Sequence, residues 1–418
     1  MYLSARHNNY RMHLSIEILL LMMASCGFMD INFFQPLVIN NMNVVTNLLL
    51  LVYVFIRNMG FTFKSGIAAK LKPLWWLIAG VLLSFIPAYL YYGQHLYNSV
   101  TVYRHFLGYF AFFLLLSVQP TRYEFKKASY WFAFIYIFCV IYGTFVDTSF
   151  VYFDPDSTEP FIAEGEFIHV VPGFHFLMIS YIFALDDIRK EKITFKSVAI
   201  LFSILAIIFL IQNRTVLFSA FVIGVFSAMA GRSHKQRLTI GTLLVVALCL
   251  GVFFTWKYID VLITETIDEL TDEDYNRVKA FIYFMSGDNG KMSYFWGNGF
   301  ISGKVHPIMA QLREEGIFHS DLGLIGFWHQ FGLIPVITIL VICFRGLSSL
   351  RSFEVRAHAL NIILCSLTIA YFRDFAFSLW LSVFWYFYSI DPYYDMRKKI
   401  HDAEVVERAM KRFRSIQN

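Results

Sequence analysis

The sequence predicts an all-α fold: a polytopic transmembrane helical bundle of about 12 spans, with one large extracytoplasmic loop and both termini in the cytoplasm. Three observations predict it. The chain of 418 residues is 57% hydrophobic and 16% charged, whereas roughly a quarter of the residues in a soluble domain are charged. Apolar runs of about 20 residues, the length of a membrane-crossing helix, recur along the chain. Most Lys and Arg residues lie between alternate runs, as they do in loops on one membrane face.

The apolar runs divide the chain into spans and loops. Because the bilayer offers the backbone no hydrogen-bond partners, we expect each run to be a helix. The runs predict spans at approximately 14–34, 38–56, 74–93, 97–118, 128–147, 169–185, 197–212, 214–231, 238–256, 320–344, 357–372 and 375–390. The chain then consists of transmembrane helices 1–9 in 1–256, the large extracytoplasmic loop in 257–319, transmembrane helices 10–12 in 320–392 and a basic cytoplasmic tail in 393–418.

The distribution of basic residues supports this division. With the N-terminus in the cytoplasm, 26 of the 35 Lys and Arg residues lie in cytoplasmic segments, in agreement with the positive-inside rule. A missed span would reverse every later loop, so the agreement indicates an even number of spans. The positive-inside rule does not account for the other nine basic residues, which lie within predicted spans or outside the cytoplasm: Arg104, Arg214, Lys257, Arg277, Lys279, Lys291, Lys304, Arg313 and Arg373.

Composition argues against several classes of function. The five cysteines fall within apolar runs and lack metal-ligand spacing, so we expect packing residues rather than disulfides or a metal site. Most basic residues lie in short loops, where topology explains them, so we expect no nucleic-acid partner. No glycine-rich phosphate loop of the nucleotide-binding kind is present, and we expect no cofactor.

Arg214 is the first candidate functional residue. It stands in Gln212-Asn213-Arg214-Thr215-Val216-Leu217, at the predicted tip of a tight hairpin on the outer membrane surface. Its planar guanidinium suits bidentate binding of a phosphate or pyrophosphate. The alternative is an interfacial arginine that reaches to the lipid headgroups.

Two further arginines are candidates for binding an anion. Arg104 lies within the fourth predicted span, where a charge costs several kcal/mol unless it is paired or faces water. A buried pair with Asp30 is its structural alternative. Arg373 precedes Asp374 in the outer turn between the last two predicted spans, and a local ion pair is the alternative there. Together with Arg214, these arginines would form a cationic pocket for an anionic lipid head.

His319 is the leading titratable candidate. The large loop ends in Phe318-His319-Ser320-Asp321, where the chain re-enters the membrane. Histidine titrates near neutral pH and serves as a general base or an orienting donor. Ser320 and Asp321 are candidates for substrate contact, and either can also cap the helix that starts there. A capping-region histidine without chemistry is the alternative for His319.

A turn rich in aromatic residues and glycine precedes His319. It reads Phe295-Trp296-Gly297-Asn298-Gly299-Phe300. Aromatic faces stack on sugars, and glycines allow close approach of the backbone. We expect Asn298 to contact substrate, together with the loop cations Arg277 and Lys304. Plain loop packing is the alternative for this turn.

These motifs resemble those of bacterial O-antigen polymerases (Wzy) and O-antigen ligases (WaaL), which are multi-span proteins with one large periplasmic loop. The resemblance in residues rests on Arg214-Thr215-Val216-Leu217, on Gly297-Asn298-Gly299-Phe300, and on His319-Ser320 with Gly332. Asp321, followed by Gly323 and Gly326, is more similar to the polymerases. The remainder of the resemblance is architectural.

The resemblance implies a polysaccharide repeat-unit polymerase in the bacterial cytoplasmic membrane. It would transfer a glycan from undecaprenyl pyrophosphate to a lipid-linked repeat unit without metal or nucleotide, with His319 and Arg214 as catalytic residues. The product would be O-antigen, capsule or exopolysaccharide. The substrate is then an undecaprenyl-pyrophosphate-linked oligosaccharide, and a chain-length regulator and a flippase of the same pathway are expected partners.

Two alternatives remain open at this stage. An O-antigen ligase differs in its acceptor, the lipid A core. A non-enzymatic transporter of lipid-linked oligosaccharide would have two related halves and broken helices, and the sequence contains no repeat relating its halves.

Overall fold

The structure is a computed structural model in which the described residues are helical throughout, apart from turns and short extended stretches. It describes residues 2–31, 42–57, 72–146, 150, 173–190, 195–210, 214–230, 234, 237–238, 240–242, 244–246, 249, 276–285, 295–301, 312, 315, 317, 322–349, 351–366 and 375–391. Within these residues there is no β-strand. The prediction of an all-α fold is therefore confirmed.

Most of the α-helices overlap the predicted apolar runs, but the predicted continuous span 97–118 is divided into two α-helices and a 3-10 helix, and one α-helix lies in the predicted large loop. The α-helices are α1 Tyr2–Ser25, α2 Met42–Arg57, α3 Lys72–Leu83, α4 Phe85–Tyr92, α5 Leu96–Val102, α6 Phe110–Val118, α7 Arg122–Phe145, α8 Phe174–Lys190, α9 Phe195–Leu210, α10 Arg214–Met229, α11 Asn276–Met285, α12 Gly323–Phe331, α13 Leu333–Gly346, α14 Phe353–Ser366 and α15 Phe375–Ile390. Two 3-10 helices, Gly27–Asp30 and Tyr103–Tyr109, lie between them.

Two apolar helices in the described part of the chain reach membrane-crossing length. They are Lys72–Tyr92, of 21 residues, and Arg122–Phe145, of 24 residues. The other apolar helices there are shorter: Leu14–Ser25, Val45–Val54, Phe106–Val118, Ser197–Ile208, Thr215–Met229, Leu333–Gly346 and Phe375–Ile390. The count of about 12 spans remains a prediction.

The helix α8 lies at the centre of the bundle. All of its residues from His175 to Leu185 are buried, and it contacts α7, α9, α10 and α14. Its polar side chains bond across to neighbouring backbones. Ser180 Oγ donates to the Ser129 carbonyl at 2.7 Å, and the Tyr181 hydroxyl donates to the Ala220 carbonyl at 2.8 Å. Such interhelical hydrogen bonds hold helices together where packing is otherwise apolar.

Helices α3 and α4 form one apolar helix that is irregular at Ser84. Pro87 has no amide hydrogen, so the carbonyl four residues earlier, that of Leu83, loses its helical partner. Ser84 Oγ donates to the Val81 carbonyl at 2.6 Å. The predicted span 74–93 is therefore helical along its length, with a defined irregularity in the middle.

The start of α7 is encoded by a capping box. The Thr121 side chain accepts from the Glu124 amide, and the Glu124 carboxylate accepts from the Thr121 amide. This reciprocal pairing satisfies two amides that would otherwise lack partners at a helix start. The Tyr386 hydroxyl donates to the Pro120 carbonyl at 2.6 Å, which ties α15 to the same point.

A cluster of charges closes one end of the bundle. The Asp186 carboxylate, with no exposed side-chain surface, pairs with Arg122, with Arg189 at 2.9 Å and with Lys190 at 2.6 Å. Arg122 also pairs with Glu354. Burial lowers the pKa of Lys190, and its contact with Asp186 opposes that effect. The cluster joins the start of α7, the end of α8 and the start of α14.

A second set of contacts adds α15 to this charged end. Arg351 donates to the Tyr388 carbonyl at 2.9 Å, and the Ser352 amide donates to the Asp391 carboxylate at 2.9 Å. The charge pattern of the sequence assigns these segments to the cytoplasmic face. Since they share one end of the bundle, their arrangement is consistent with that assignment.

Replacing Asp186 with Asn should destabilise the protein strongly. The change leaves Arg122, Arg189 and Lys190 without the buried carboxylate that they share, and breaking a buried ion pair typically costs about 3–5 kcal/mol. The free energy of unfolding, or the thermal midpoint in detergent, measures the loss.

Asp187→Asn is the matched control for this variant. The Asp187 side chain is more exposed, and among the described residues it forms an ion pair with one cation, Lys126, so its loss should be smaller. Equal losses for the two variants would contradict a central role for Asp186.

Candidate functional site

A break between α12 and α13 corrects the predicted continuous span 320–344. The helix α12 ends at Phe331, and α13 begins at Leu333. Between them Gly332 has φ 78° and ψ −174°, a conformation that is essentially restricted to glycine. Pro335 follows in the first turn of α13. Amides in the first turn of a helix have no acceptor within that helix, so a proline costs no hydrogen bond there. The local sequence therefore favours a stop and a new start.

The turn at 295–301 fills this break. The amide of Asn298 donates to the His329 carbonyl at 2.8 Å, and the amide of Gly299 donates to the Gln330 carbonyl at 2.9 Å. These carbonyls lie in the last turn of α12, where helical acceptors have no partner within the helix. The turn thus supplies the donors that the broken helix lacks.

The same turn also contacts the start of α13. The Leu333 amide donates to the Phe295 carbonyl at 3.0 Å. A Cβ atom on Gly297 would lie 2.5 Å from the Gln330 carbonyl oxygen, and a Cβ atom on Gly332 would overlap the Phe295 carbonyl oxygen. Glycine is required at both positions because the two backbones touch.

A buried side-chain hydrogen bond strengthens the contact. Asn298 Nδ2 lies 2.8 Å from His329 Nε2, and the two residues are 3% and 8% exposed. Because an amide NH₂ group can only donate, Nε2 accepts and the neutral imidazole carries its hydrogen on Nδ1. The ring of Phe284 in α11 lies 4.8 Å from the imidazole, centroid to centroid.

On its other side the turn packs against the irregular part of α3 and α4. The Phe300 amide donates to the Tyr103 hydroxyl at 2.7 Å, and that hydroxyl lies 2.8 Å from Ser84 Oγ. Gln94 Nε2 donates to the Phe300 carbonyl at 3.0 Å and to Ser99 Oγ at 2.9 Å. The turn at 295–301 therefore contacts both the irregular stretch at Ser84 and the break at Gly332.

Arg104 lies on a 3-10 helix that the sequence encodes by aromatic spacing. Three residues make one turn of a 3-10 helix, so residues three apart share a face. Tyr103, Phe106 and Tyr109 have this spacing, and their successive ring centroids are 5.9 and 5.5 Å apart. This face packs on Phe331 of α12, at 5.4 Å from Tyr103. Arg104, half-buried, follows Tyr103 and so lies off the shared face.

The far end of the 3-10 helix contacts the start of α15. A Cβ atom on Gly108 would lie 3.0 Å from the Phe375 carbonyl oxygen. Phe375 is the first described residue after Arg373, so the structure brings the described flank of Arg373 to the helix that carries Arg104. The side chain of Asp30 lies outside the described part of the chain, so the pair of Arg104 with Asp30 stays a prediction.

The helix α11 anchors both described flanks of the His319 segment. Ala280 and Phe284 form a small apolar cluster with Leu312, Ile317 and Leu322. Ile317 and Leu322 are the described residues on either side of 318–321. Since Phe284 also touches His329, this cluster joins the segment's flanks to the break at Gly332.

The predicted site residues can now be placed. Asn298 is buried within the turn at 295–301, Arg104 is half-buried on the 3-10 helix that packs against the turn, and Arg277 is exposed on α11. Arg214 begins α10, and only its backbone is described, so its place at the tip of an outer hairpin stays a prediction. His319, Ser320, Asp321, Lys304 and Arg373 lie outside the described residues, so their roles stay predictions.

Sequence reasoning missed His329 and Tyr103. A histidine within an apolar run is by default a functional candidate, and that rule applies to His329. The spacing of Tyr103, Phe106 and Tyr109 was the available signal for the 3-10 helix. The pairing of Asn298 with His329 had no signal in the sequence, because the two residues are brought together only by the fold.

Comparison with known proteins adds no assignment. No protein-family model matches the chain, and no curated protein matches it. The geometry of the described residues and the sequence motifs therefore carry the functional argument.

Replacing Gly299 with Ala should displace the turn. Gly299 has φ +83°, and an added Cβ would overlap Ala88 and lie 2.9 Å from the Ser84 carbonyl oxygen. We expect about 1 kcal/mol from the backbone conformation and a further loss of about 1–3 kcal/mol from overpacking. Thermal unfolding in detergent measures both contributions together.

Gly93→Ala separates the two contributions. Gly93 has φ +63°, but among the described residues, its own chain neighbours aside, no atom lies within 4 Å of the position that an alanine methyl group would take there, so only the cost of the backbone conformation applies. A loss of stability in Gly299→Ala no larger than in Gly93→Ala would contradict the close packing of the turn on α4.

Proposed function

We propose that this chain is a polysaccharide repeat-unit polymerase of the bacterial cytoplasmic membrane. It would extend O-antigen, capsule or exopolysaccharide by transferring a glycan from undecaprenyl pyrophosphate to a lipid-linked repeat unit on the outer face. The observation that carries the proposal is the meeting of three separate segments at one place: the turn at 295–301, the described flanks of the His319 segment and the 3-10 helix with Arg104.

Membrane residence is the first part of the proposal, and the outward face of α7 supports it. Trp131, Phe134, Phe138, Ile141 and Phe145 are 44–65% exposed. They recur every three or four residues and so form one stripe, about 21 Å long at 1.5 Å per residue. Soluble proteins rarely expose a continuous apolar stripe of this length. Lipid is the environment that suits it.

The reaction follows from the residues that the motifs single out. The acceptor sugar hydroxyl attacks the anomeric carbon of the donor glycan, and the bond from that carbon to the pyrophosphate oxygen breaks. His319 accepts the proton of the attacking hydroxyl. Arg214, with Arg104 or Arg373, stabilises the departing pyrophosphate as its negative charge develops.

The described packing gives Asn298 a positioning role in this proposal. Its side chain is turned to His329 and its amide to the end of α12. It therefore holds the turn in register with the helix that follows the His319 segment. Exposed Trp296, in the same turn, offers an aromatic face on which a sugar can stack.

A lipid-linked oligosaccharide transporter is the second candidate, and one observation favours it. Broken helices such as the one at Gly332 occur at the substrate sites of transporters. An O-antigen ligase would share the donor chemistry and differ in the acceptor. Product analysis separates the three: a polymerase makes a ladder of glycan lengths, a ligase needs lipid A core, and a transporter makes no new bond.

Arg214→Ala should abolish polymerisation while the protein still folds. Purified protein and lipid-linked repeat unit, without metal or nucleotide, should yield a ladder of glycan lengths. Removing one group that stabilises developing charge typically lowers the rate about 100- to 1,000-fold. The rate of ladder formation by gel or mass spectrometry is the measurement.

Two variants control this experiment. Arg214→Lys keeps the charge but loses the planar fork, so its activity should lie between those of the wild type and Arg214→Ala. Arg237→Ala removes an exposed cation on the predicted cytoplasmic face and should leave the ladder unchanged. A normal ladder from Arg214→Ala would rule out the proposed role.

The proposed orientation can be tested with single cysteines in a chain whose five native cysteines are replaced by alanine. Tyr97 and Tyr123 are 79% and 72% exposed. Tyr97 lies three residues after Gln94, which bonds to Phe300 of the turn at 295–301, and Tyr123 follows Arg122 of the charged end. In right-side-out vesicles a membrane-impermeant maleimide should label Tyr97→Cys, and Tyr123→Cys only after permeabilisation. The reverse pattern would invert the proposed topology.

A further inference from the structure

A lateral groove separates parts of α7 and α9 next to the charged end of the bundle. Its volume is about 860 Å³, within the range of about 300–1,000 Å³ that is common for ligand clefts. It lies far along the chain from the turn at 295–301, and none of its lining residues belongs to the candidate functional site.

The lining of the groove changes from polar to apolar along both helices. Lys126 and Lys127 line it near the start of α7, and Ser197 lines it near the start of α9. Further along the same helices the lining is Ile137 and Ile204. The polar lining residues lie at the starts of α7 and α9, and the apolar ones lie further along both helices. The groove therefore has one polar end and one apolar end.

The length of the groove fits one leaflet. Lys126 and Ile137 are about eleven residues apart, which is about 16 Å along a helix. Half of the hydrocarbon core of a bilayer is about 15 Å thick. A ligand with its head at the lysines would therefore place an acyl chain along the apolar part.

The charge at the polar end favours an anion. Lys126 pairs with Asp187, and the Tyr130 hydroxyl donates to the same carboxylate at 3.0 Å. The carboxylate is thus already engaged. Lys127 has no ion-pair partner among the described residues and adds a positive charge that Asp187 does not balance.

We propose that this groove binds an anionic phospholipid of the cytoplasmic leaflet, with its phosphate at Lys127 and Lys126 and an acyl chain between α7 and α9. Basic pockets between helices on the cytoplasmic side bind anionic lipid heads in this way. The proposal rests on the membrane residence proposed above but not on the glycosyl transfer. The bound lipid would brace α9 against α7 beside the buried Asp186 cluster.

Lipid retention by the purified full chain tests the proposal. The protein in a neutral detergent is titrated with phosphatidylglycerol or phosphatidylcholine, and bound lipid is counted by native mass spectrometry. We expect phosphatidylglycerol to bind in preference. Lys127→Ala should weaken it about fivefold, equivalent to about 1 kcal/mol, and Ser203→Trp should abolish retention by filling the groove.

Each variant has a matched control. Lys72→Ala removes an exposed lysine at the start of α3, also on the predicted cytoplasmic face, and Ala206→Trp adds the same bulk on an exposed position of α9 outside the groove. Both should retain phosphatidylglycerol as the wild type does. If Ser203→Trp fails to fold, the comparison of Lys127→Ala with Lys72→Ala still tests whether the groove binds phosphatidylglycerol.

Three results would overturn the proposal. They are equal retention of the two lipids by the wild type, equal losses in a groove variant and its control, and displacement of phosphatidylglycerol by a polyprenyl phosphate. The last result would assign the groove to the isoprenoid lipid. Because no glycan is present in this experiment, its failure is distinct from a failure of the polymerase assay.

Discussion

Backbone hydrogen bonds between the turn at 295–301 and the break at Gly332 hold the candidate site together. A helix that stops inside an apolar bundle leaves carbonyls and amides without partners, and each one costs free energy if it stays unpaired. The turn supplies those partners on both sides of the break. The glycines of the turn touch the opposing backbone, so no larger residue fits at these positions. The irregular stretch at Ser84 and the 3-10 helix then pack around it.

The charged end of the bundle is built on the opposite principle. There, ion pairs between side chains join the helices. Asp186 carries no exposed surface and is shared among cations from α7 and α8. A buried carboxylate is tolerated only when such partners compensate its desolvation. One end is therefore fixed by ion pairs and the other by an interlocked backbone.

Several helices were predictable because hydrophobic run length sets them. The run at 375–390 corresponds to α15, and the run at 128–147 overlaps α7, which begins six residues earlier, at its capping box. The break at Gly332 was not predicted, since glycine within an apolar run is compatible with a continuous helix unless another segment occupies the gap. The turn at 295–301 was recognised as a motif, but its partner His329 was not. Sequence spacing shows local periodicity, whereas this contact joins residues 31 positions apart.

The difference between the two ends bears on where chemistry can occur. In the cluster around Asp186 every charged group already pairs with a group of opposite charge, so the cluster has little capacity left for a ligand. At the other end the backbone groups of the turn at 295–301 pair with those at the break, and the polar side chains of Asn298 and His329 pair with each other. Arg104 lies next to these paired segments. The three-residue period of its helix puts Tyr103, Phe106 and Tyr109 on one face and places Arg104, half-buried, off that face. In the proposed reaction, an arginine at this position would stabilise the departing pyrophosphate as its charge develops.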